Sequence, residues 1–372
     1  TQMLIKFFKL VLILLFYQNP LYSKSKTLND FNSHYLSNYF SGIVAYENND
    51  NSQALKFFKS SKYLIKQHNS YLKNYIYALV HEGEVQQATR EIKQNLTEEN
   101  SDFFEAHLLL ALDHIKRKNY KKSREHLQRL YEFINNDRFS QIIAETLKQY
   151  LYVFEENKIS NIKNKFGNFS FINEVFQRCY LNDKNTKTYF NNLINSQNDS
   201  DYSRYTFFYL NYLIKNGEHE EAKYISNNLD YLNSSLLISQ GKKWIEDQRP
   251  EEFKKIFSCN NITDLVGEFF FLVSNLYSSE DNFEKSNFYL NISHYLNPKF
   301  KFNLSLLAEN HYLNKDYIKT LEVLKNFDKE NEVYYWFKLK KEAQIISKQK
   351  SEEVSVDFIN SKFKKIKNPS LK

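Results

Sequence analysis

Between Gly42 and Phe58 the chain passes through the apolar segment Ile43-Val44-Ala45-Tyr46, a polar run from Glu47 to Gln53, and a second amphipathic start, Ala54-Leu55-Lys56-Phe57-Phe58. This order predicts the end of one helix, a polar turn, and a second helix that crosses the first at Ala54. The same order returns as HEGEVQQA ending at Ala88, RKNYKKS at Ser123, KNGEHEEA at Ala222, SEDNFEKS at Ser286 and NKDYIKT at Thr320. The small residue recurs after 34 positions from Ala54 to Ala88 and from Ser286 to Thr320, and after 35 from Ala88 to Ser123. The wider gaps, 99 from Ser123 to Ala222 and 64 from Ala222 to Ser286, are close to three and two such units. Second helices that fill these gaps are expected near residues 158–163, 184–193 and 250–257, the last with Pro250 at a helix start. A final pair is expected at 333–346 and 351–366, which gives about nine or ten pairs beginning near Ser33.

The period has a physical reason. One helix pair cannot bury its own apolar stripe, and a stacked neighbour covers it. Small residues at the crossing let two helices approach where a Leu would hold them apart. Contacts in such an array run mainly between neighbours, so the body is expected to be all-α and elongated, with one concave face. Residues 33–130 and 203–366 carry the repeat clearly, and 131–202 carry it in degenerate form.

Composition supports helices and excludes other classes. Six Gly and four Pro stand beside 32 Phe and 28 Tyr in 372 residues, against average usage of roughly 7% Gly and 5% Pro. Turn-rich sandwiches and glycine-looped α/β enzymes are improbable on that ground. The net charge of +7 at first suggests nucleic acid, but Lys6, Lys9 and the five lysines from Lys362 to Lys372 account for all of it. A neutral body with interspersed charge lacks the basic face of a nucleic-acid binder. The basic tail, 367–372, is expected to be a solvated terminus.

The N-terminal stretch indicates an address. Met3 is the sole methionine, Lys6 and Lys9 form a basic start, Leu10 to Tyr17 are apolar, Asn19-Pro20 break the helix, and Leu21-Tyr22-Ser23 form a tolerable cleavage site. The apolar run is shorter than the roughly 20 residues of a spanning helix. Residues 1–23 are expected to be a cleaved secretory signal, with an uncleaved membrane anchor or a buried first helix as the alternatives. Cys179 and Cys259 lie 80 residues apart; the expectation is a pair of buried, reduced thiols, with a disulfide as the alternative in an oxidising compartment.

The residues point to no catalytic chemistry, cofactor or metal. Six scattered glycines make no phosphate loop, HExxH and CxxC are absent, and neither cysteine has a nucleophile signature. His107 and His114 lie two turns apart on one helix and could form half of a metal site, but such pairs are more commonly structural. Glu251-Glu252 and Glu352-Glu353 fall at expected helix starts, where the dipole favours them.

The spacing resembles the tetratricopeptide repeat. The best unit holds Phe270, Ser274, Tyr277, Phe283, Ser286, Leu290, Ser293 and Pro298, and the first holds Gly42, Tyr46, Ala54, Phe58 and Ser61. Most first helices lack the family's Gly. The resemblance implies a right-handed superhelical solenoid of stacked antiparallel pairs whose first helices line a groove. It further implies a non-catalytic scaffold that binds a protein or peptide, with no nucleic acid and no small-molecule substrate. Carried over position by position, the groove would present Tyr39, Tyr46, Tyr77, Arg204, Asn211, Phe271, Asn275, Glu309 and Tyr312. Asn211, Asn275 and Glu309 share one position in three units, where they could pair with a ligand backbone. With the signal and an AT-rich codon bias in Asn, Lys, Ile, Phe and Tyr, the chain resembles uncharacterised exported repeat proteins of alphaproteobacteria. A periplasmic scaffold near the inner membrane is the expectation; a cytoplasmic adaptor, or a non-catalytic part of a transferase, is the alternative.

Overall fold

The structure, a computed structural model, describes residues 33–95, 102–134, 137–160, 166–195, 203–229 and 234–364. Among them the protein is all-α, with 19 helices and no strand. In chain order these are α1 (Ser33–Glu47), α2 (Asn51–Ser60), α3 (Asn69–His81), α4 (Val85–Asn95), α5 (Phe104–Lys116) and α6 (Tyr120–Leu130). Then come α7 (Arg138–Glu156), α8 (Asn168–Tyr180), α9 (Thr186–Ile194), α10 (Ser203–Lys215), α11 (His219–Asn227), α12 (Leu236–Glu246) and α13 (Glu251–Ile256). The last six are α14 (Ile262–Ser279), α15 (Phe283–Leu296), α16 (Leu304–Leu313), α17 (Tyr317–Leu324), α18 (Glu332–Gln349) and α19 (Glu352–Phe363). They form adjacent pairs, α1 with α2 through α5 with α6 and α8 with α9 through α18 with α19, leaving α7 alone.

Eight of the pairs turn in the same way. Asn49, Gly83, Lys118, Asn182, Gly217, Gln248, Asp281 and Lys315 all take left-handed backbone conformations, φ from 50° to 80°. The next amide donates to the carbonyl five residues back, as Asp50 to Ala45 (2.9 Å), Glu84 to Leu79 (2.8 Å) and Asp316 to His311 (2.8 Å). This closes the first helix with a Schellman motif. That next residue often caps the second helix as well: Asp50, Asn119, Asn282 and Asp316 each accept from the backbone N–H three residues on. Gly83 and Gly217 take the left-handed position without strain, whereas Asn, Lys, Gln and Asp there cost about 1 kcal/mol each.

The six small residues of the repeat occupy one structural position. Ala54, Ala88, Ser123, Ala222, Ser286 and Thr320 are each the fourth residue of a second helix, and all are at most 1% exposed. Seven residues before the left-handed turn, the first helix answers with Gly42, Ala111, Gly241, Ser274 or Ala308. A Cβ on Gly42 would sit 2.7 Å from the Phe58 ring, and Ser123 Oγ donates to the Ala111 carbonyl at 3.1 Å. Both helices therefore contribute a small residue at the crossings of Ala54, Ser123, Ser286 and Thr320, whereas Ala88 and Ala222 face pairs in which that first-helix position is Ile76 and Leu210.

Three expectations change. A second helix near 158–163 does not form over residues 158–160; residues 161–163 lie outside the described ones, as do 1–23 and 367–372. The chain instead leaves α7 at Asn157, in a left-handed conformation (φ 50°), and the next described helix is α8. Cys179 and Cys259 are not reduced: they form a disulfide with Cα atoms 5.6 Å apart, tying the end of α8 to the loop before α14. Both half-cystines are buried, at 2% and 3% exposure.

Contacts also reach well beyond neighbours. Helix α15 packs on α3 and α4, and α14 packs on α5, α7 and α8. The sequence of α14 accounts for this, because Leu265, Val266, Glu268, Phe269, Phe270, Phe271, Val273 and Ser274 are all buried. A helix apolar on every side has to be enclosed on every side. The later pairs thus return onto the first ones, and the elongated arrangement with neighbour-only contacts is not what the chain adopts.

Candidate functional site

The nine residues expected to line a groove divide according to this return. Tyr39 is 1% exposed, with its ring 5.2 Å from that of Tyr71 and its hydroxyl accepting from Asn74 at 3.2 Å, so it belongs to the core of the first two pairs. Asn211 is buried too. Its amide donates to the carbonyls of Phe253 (3.0 Å) and Phe257 (3.1 Å). That pairing with backbone was expected of this position, but the backbone is the end of α13 in the same chain. Asn275 is exposed.

The other six gather in three places. Arg204 makes a two-point pair with Glu268 (2.7 and 2.8 Å), donates to Asn303 Oδ1 (2.6 Å), and lies 3.7 Å over the Phe271 ring. Burial pushes the Glu268 carboxyl up, against the attraction of the guanidinium. Glu309 pairs with Lys341 at 2.7 Å, and the same ammonium stands 4.2 Å over the Tyr312 ring. Tyr46 and Tyr77 lie where α15 meets the first two pairs. The Tyr46 hydroxyl donates to Glu284 at 2.5 Å, and the Tyr77 ring stacks 5.1 Å from Phe288.

This last place is a seam between distant parts of the chain. Lys319 reaches Glu82 at 2.8 Å, Asn291 donates to the His81 carbonyl at 3.2 Å, and Phe139 packs 4.7 Å from Tyr277. Lys116 lies 4.0 Å over the Tyr295 ring. Burial lowers both His81 and His311 to about 4, so both imidazoles are neutral at pH 7. A cavity of about 150 Å³ remains within the seam, with Glu105, Asp137, Glu284, Tyr277 and Tyr289 on its walls. These residues come from three helix starts, the middle of α15 and the end of α14, and no local motif in the sequence joins them.

A second concavity, of about 540 Å³, runs between α6 and α7. Leu127 and Leu151 line its floor, and Tyr131 and Tyr152, 41% and 43% exposed, stand on its sides. His107 and His114 face neither concavity. His107 Nδ1 lies 3.1 Å from His126 Nδ1, and the His114 ring stacks on His126 at 5.5 Å. Among the described residues no group of three His, Cys, Asp or Glu side chains is arranged to hold a metal. No helix among them is long and apolar enough to cross a membrane.

Compared with known proteins, the chain matches no family model, and the curated proteins contain no match to it.

Proposed function

We propose that the protein is a non-catalytic interaction scaffold of the bacterial envelope, built as a diverged tetratricopeptide-type superhelical array. The observation that carries this reading is the α6–α7 groove, which has an apolar floor and keeps Tyr131 and Tyr152 in solvent. Among the described residues α7 has no paired second helix, whereas the other first helices each have one. With Leu127 and Leu151 beneath two exposed tyrosines and with charged residues such as Arg124, Lys148 and Glu156 beside them, the groove suits an amphipathic partner helix. A partner site on this outer face replaces the concave groove as the preferred location, because Tyr46 and Tyr77 are covered by α15. The buried disulfide favours an exported protein over a cytoplasmic adaptor, since such bonds persist in oxidising compartments.

The test is affinity capture from envelope extracts with the wild-type chain and a Tyr131→Ala/Tyr152→Ala variant. The proposal expects a protein held by the wild type and lost by the variant. Equal capture by both would remove the site from this groove, and no capture by a folded wild type would overturn the scaffold reading.

A further inference from the structure

The seam cavity has the chemistry of a small cation site. Tyr277 and Tyr289 are 3% and 5% exposed, and both line the cavity. Among the described residues no hydrogen bond reaches either hydroxyl. Neither hydroxyl is among the fully buried unpaired polar atoms, so each can be reached by a group that enters the cavity.

The surrounding charge indicates what that partner is. Glu105 stands in the first turn of α5 and Glu284 in the first turn of α15, while Asp137 caps α7. Each helix start offsets about half a charge. Asp137 is further occupied by the Phe139 and Ser140 amides at 3.2 and 3.3 Å and by the Ser140 hydroxyl. Glu105 and Glu284 are met by the neutral phenols of Tyr77 and Tyr46. On the basic side the cavity has His81, neutral at pH 7, and Lys285, whose ammonium lies 5.3 Å over the Tyr277 ring. Negative charge is in excess, and the walls are aromatic.

We infer that this cavity binds a primary alkylammonium group, with Glu105 and Glu284 accepting from it and the Tyr277 and Tyr289 rings and hydroxyls enclosing it. A volume of about 150 Å³ equals the liquid share of about five waters, which admits an ammonium with a short alkyl arm. Lys285 shows that a cation is accepted at the Tyr277 face, and as an exposed side chain at the mouth it competes with the ligand. The ammonium belongs either to a free amine or to a lysine side chain on a peptide.

Isothermal titration of the folded chain with 1,4-diaminobutane and, separately, with the tripeptide Gly-Lys-Gly distinguishes the two sources; 1-butanol serves as the uncharged control. Saturable one-site binding of either amine, absent for the alcohol, is expected. Glu105→Gln and Glu284→Gln should each weaken it about tenfold, Tyr289→Phe should weaken it while keeping the ring packing, and Lys285→Gln should strengthen it. Binding of the diamine alone assigns a free amine, and binding of the peptide alone assigns a lysine side chain. No saturation by either with the protein folded, or affinity unchanged in both carboxamide variants, overturns the inference.

Discussion

The crossings inside helix pairs and the seam between distant pairs are held by different chemistry. Inside a pair, a small residue on one helix or on both permits close approach, and the same left-handed turn recurs from Asn49 to Lys315. At the seam there is no repeated element: Tyr46 and Phe288 pack on the His81 ring, Tyr77 packs on Phe288, and single ion pairs such as Lys319–Glu82 reach across. A repeat can therefore specify how each pair closes without specifying how far the stack curves. Residues that occur once determine the curvature.

The buried ion pair between α10 and α14 should be the most sensitive. Arg204→Ala would leave Glu268, 2% exposed, as an unpaired buried carboxylate between α10 and α14. A loss of about 3–5 kcal/mol is expected in urea unfolding, with Glu268→Gln in the Arg204→Ala background restoring part of it. A loss no larger than that of a surface Arg would show that the pair does not join these helices.

Acid should act on the seam next. His81 and His311 are held near pKa 4 in the folded chain, against 6.5 as the reference value. Their folded values are depressed, so their contribution to stability is full above pH 6.5 and is lost as pH falls toward 4. A decline of a few kcal/mol for the pair, about 1.4 per pKa unit for each group less their mutual coupling, should appear in unfolding measured at pH 7 and pH 4.5. The decline should shrink in His81→Asn/His311→Asn. A pH-independent stability across this window would contradict the burial of the two rings.

Within a pair, Ala222→Leu should overpack the α10–α11 crossing and cost about 1–3 kcal/mol; an unchanged melting temperature would count against the crossing. Breaking one seam ion pair should matter least. Lys319→Ala removes a contact between groups 26% and 15% exposed, and a change of about 1 kcal/mol or less is expected.

The pairs were legible in the sequence because their signals are local. Ala54, Ala88 and Ser123 sit within a few residues of the turn they belong to, and the expected helices at 184–193, 250–257 and 333–346 coincide with α9, α13 and α18. The end of the helix at Asn157 was not legible, since Lys158-Ile159-Ser160, which is not helical, has nothing in its sequence that forbids a helix. Tyr39 and Asn211 were assigned to a groove by position in the unit, but adjacent pairs bury both; Tyr46 and Tyr77 are the ones that the return of α15 covers. The disulfide depends on a 5.6 Å Cα separation that α8 and the loop before α14 create only in the folded chain. The cavity residues Glu105, Asp137 and Glu284 read locally as helix-start acids, and they are that as well.

Zero-length carbodiimide cross-linking of the monomer, read by mass spectrometry, tests the return of the chain most directly. Lys62–Glu91, at 2.7 Å between successive pairs, is the internal control. The structure predicts an intramolecular Lys319–Glu82 link, from a 2.8 Å contact spanning 237 residues, alongside the control link. A monomer that yields the Lys62–Glu91 link and no Lys319–Glu82 link would contradict the closure.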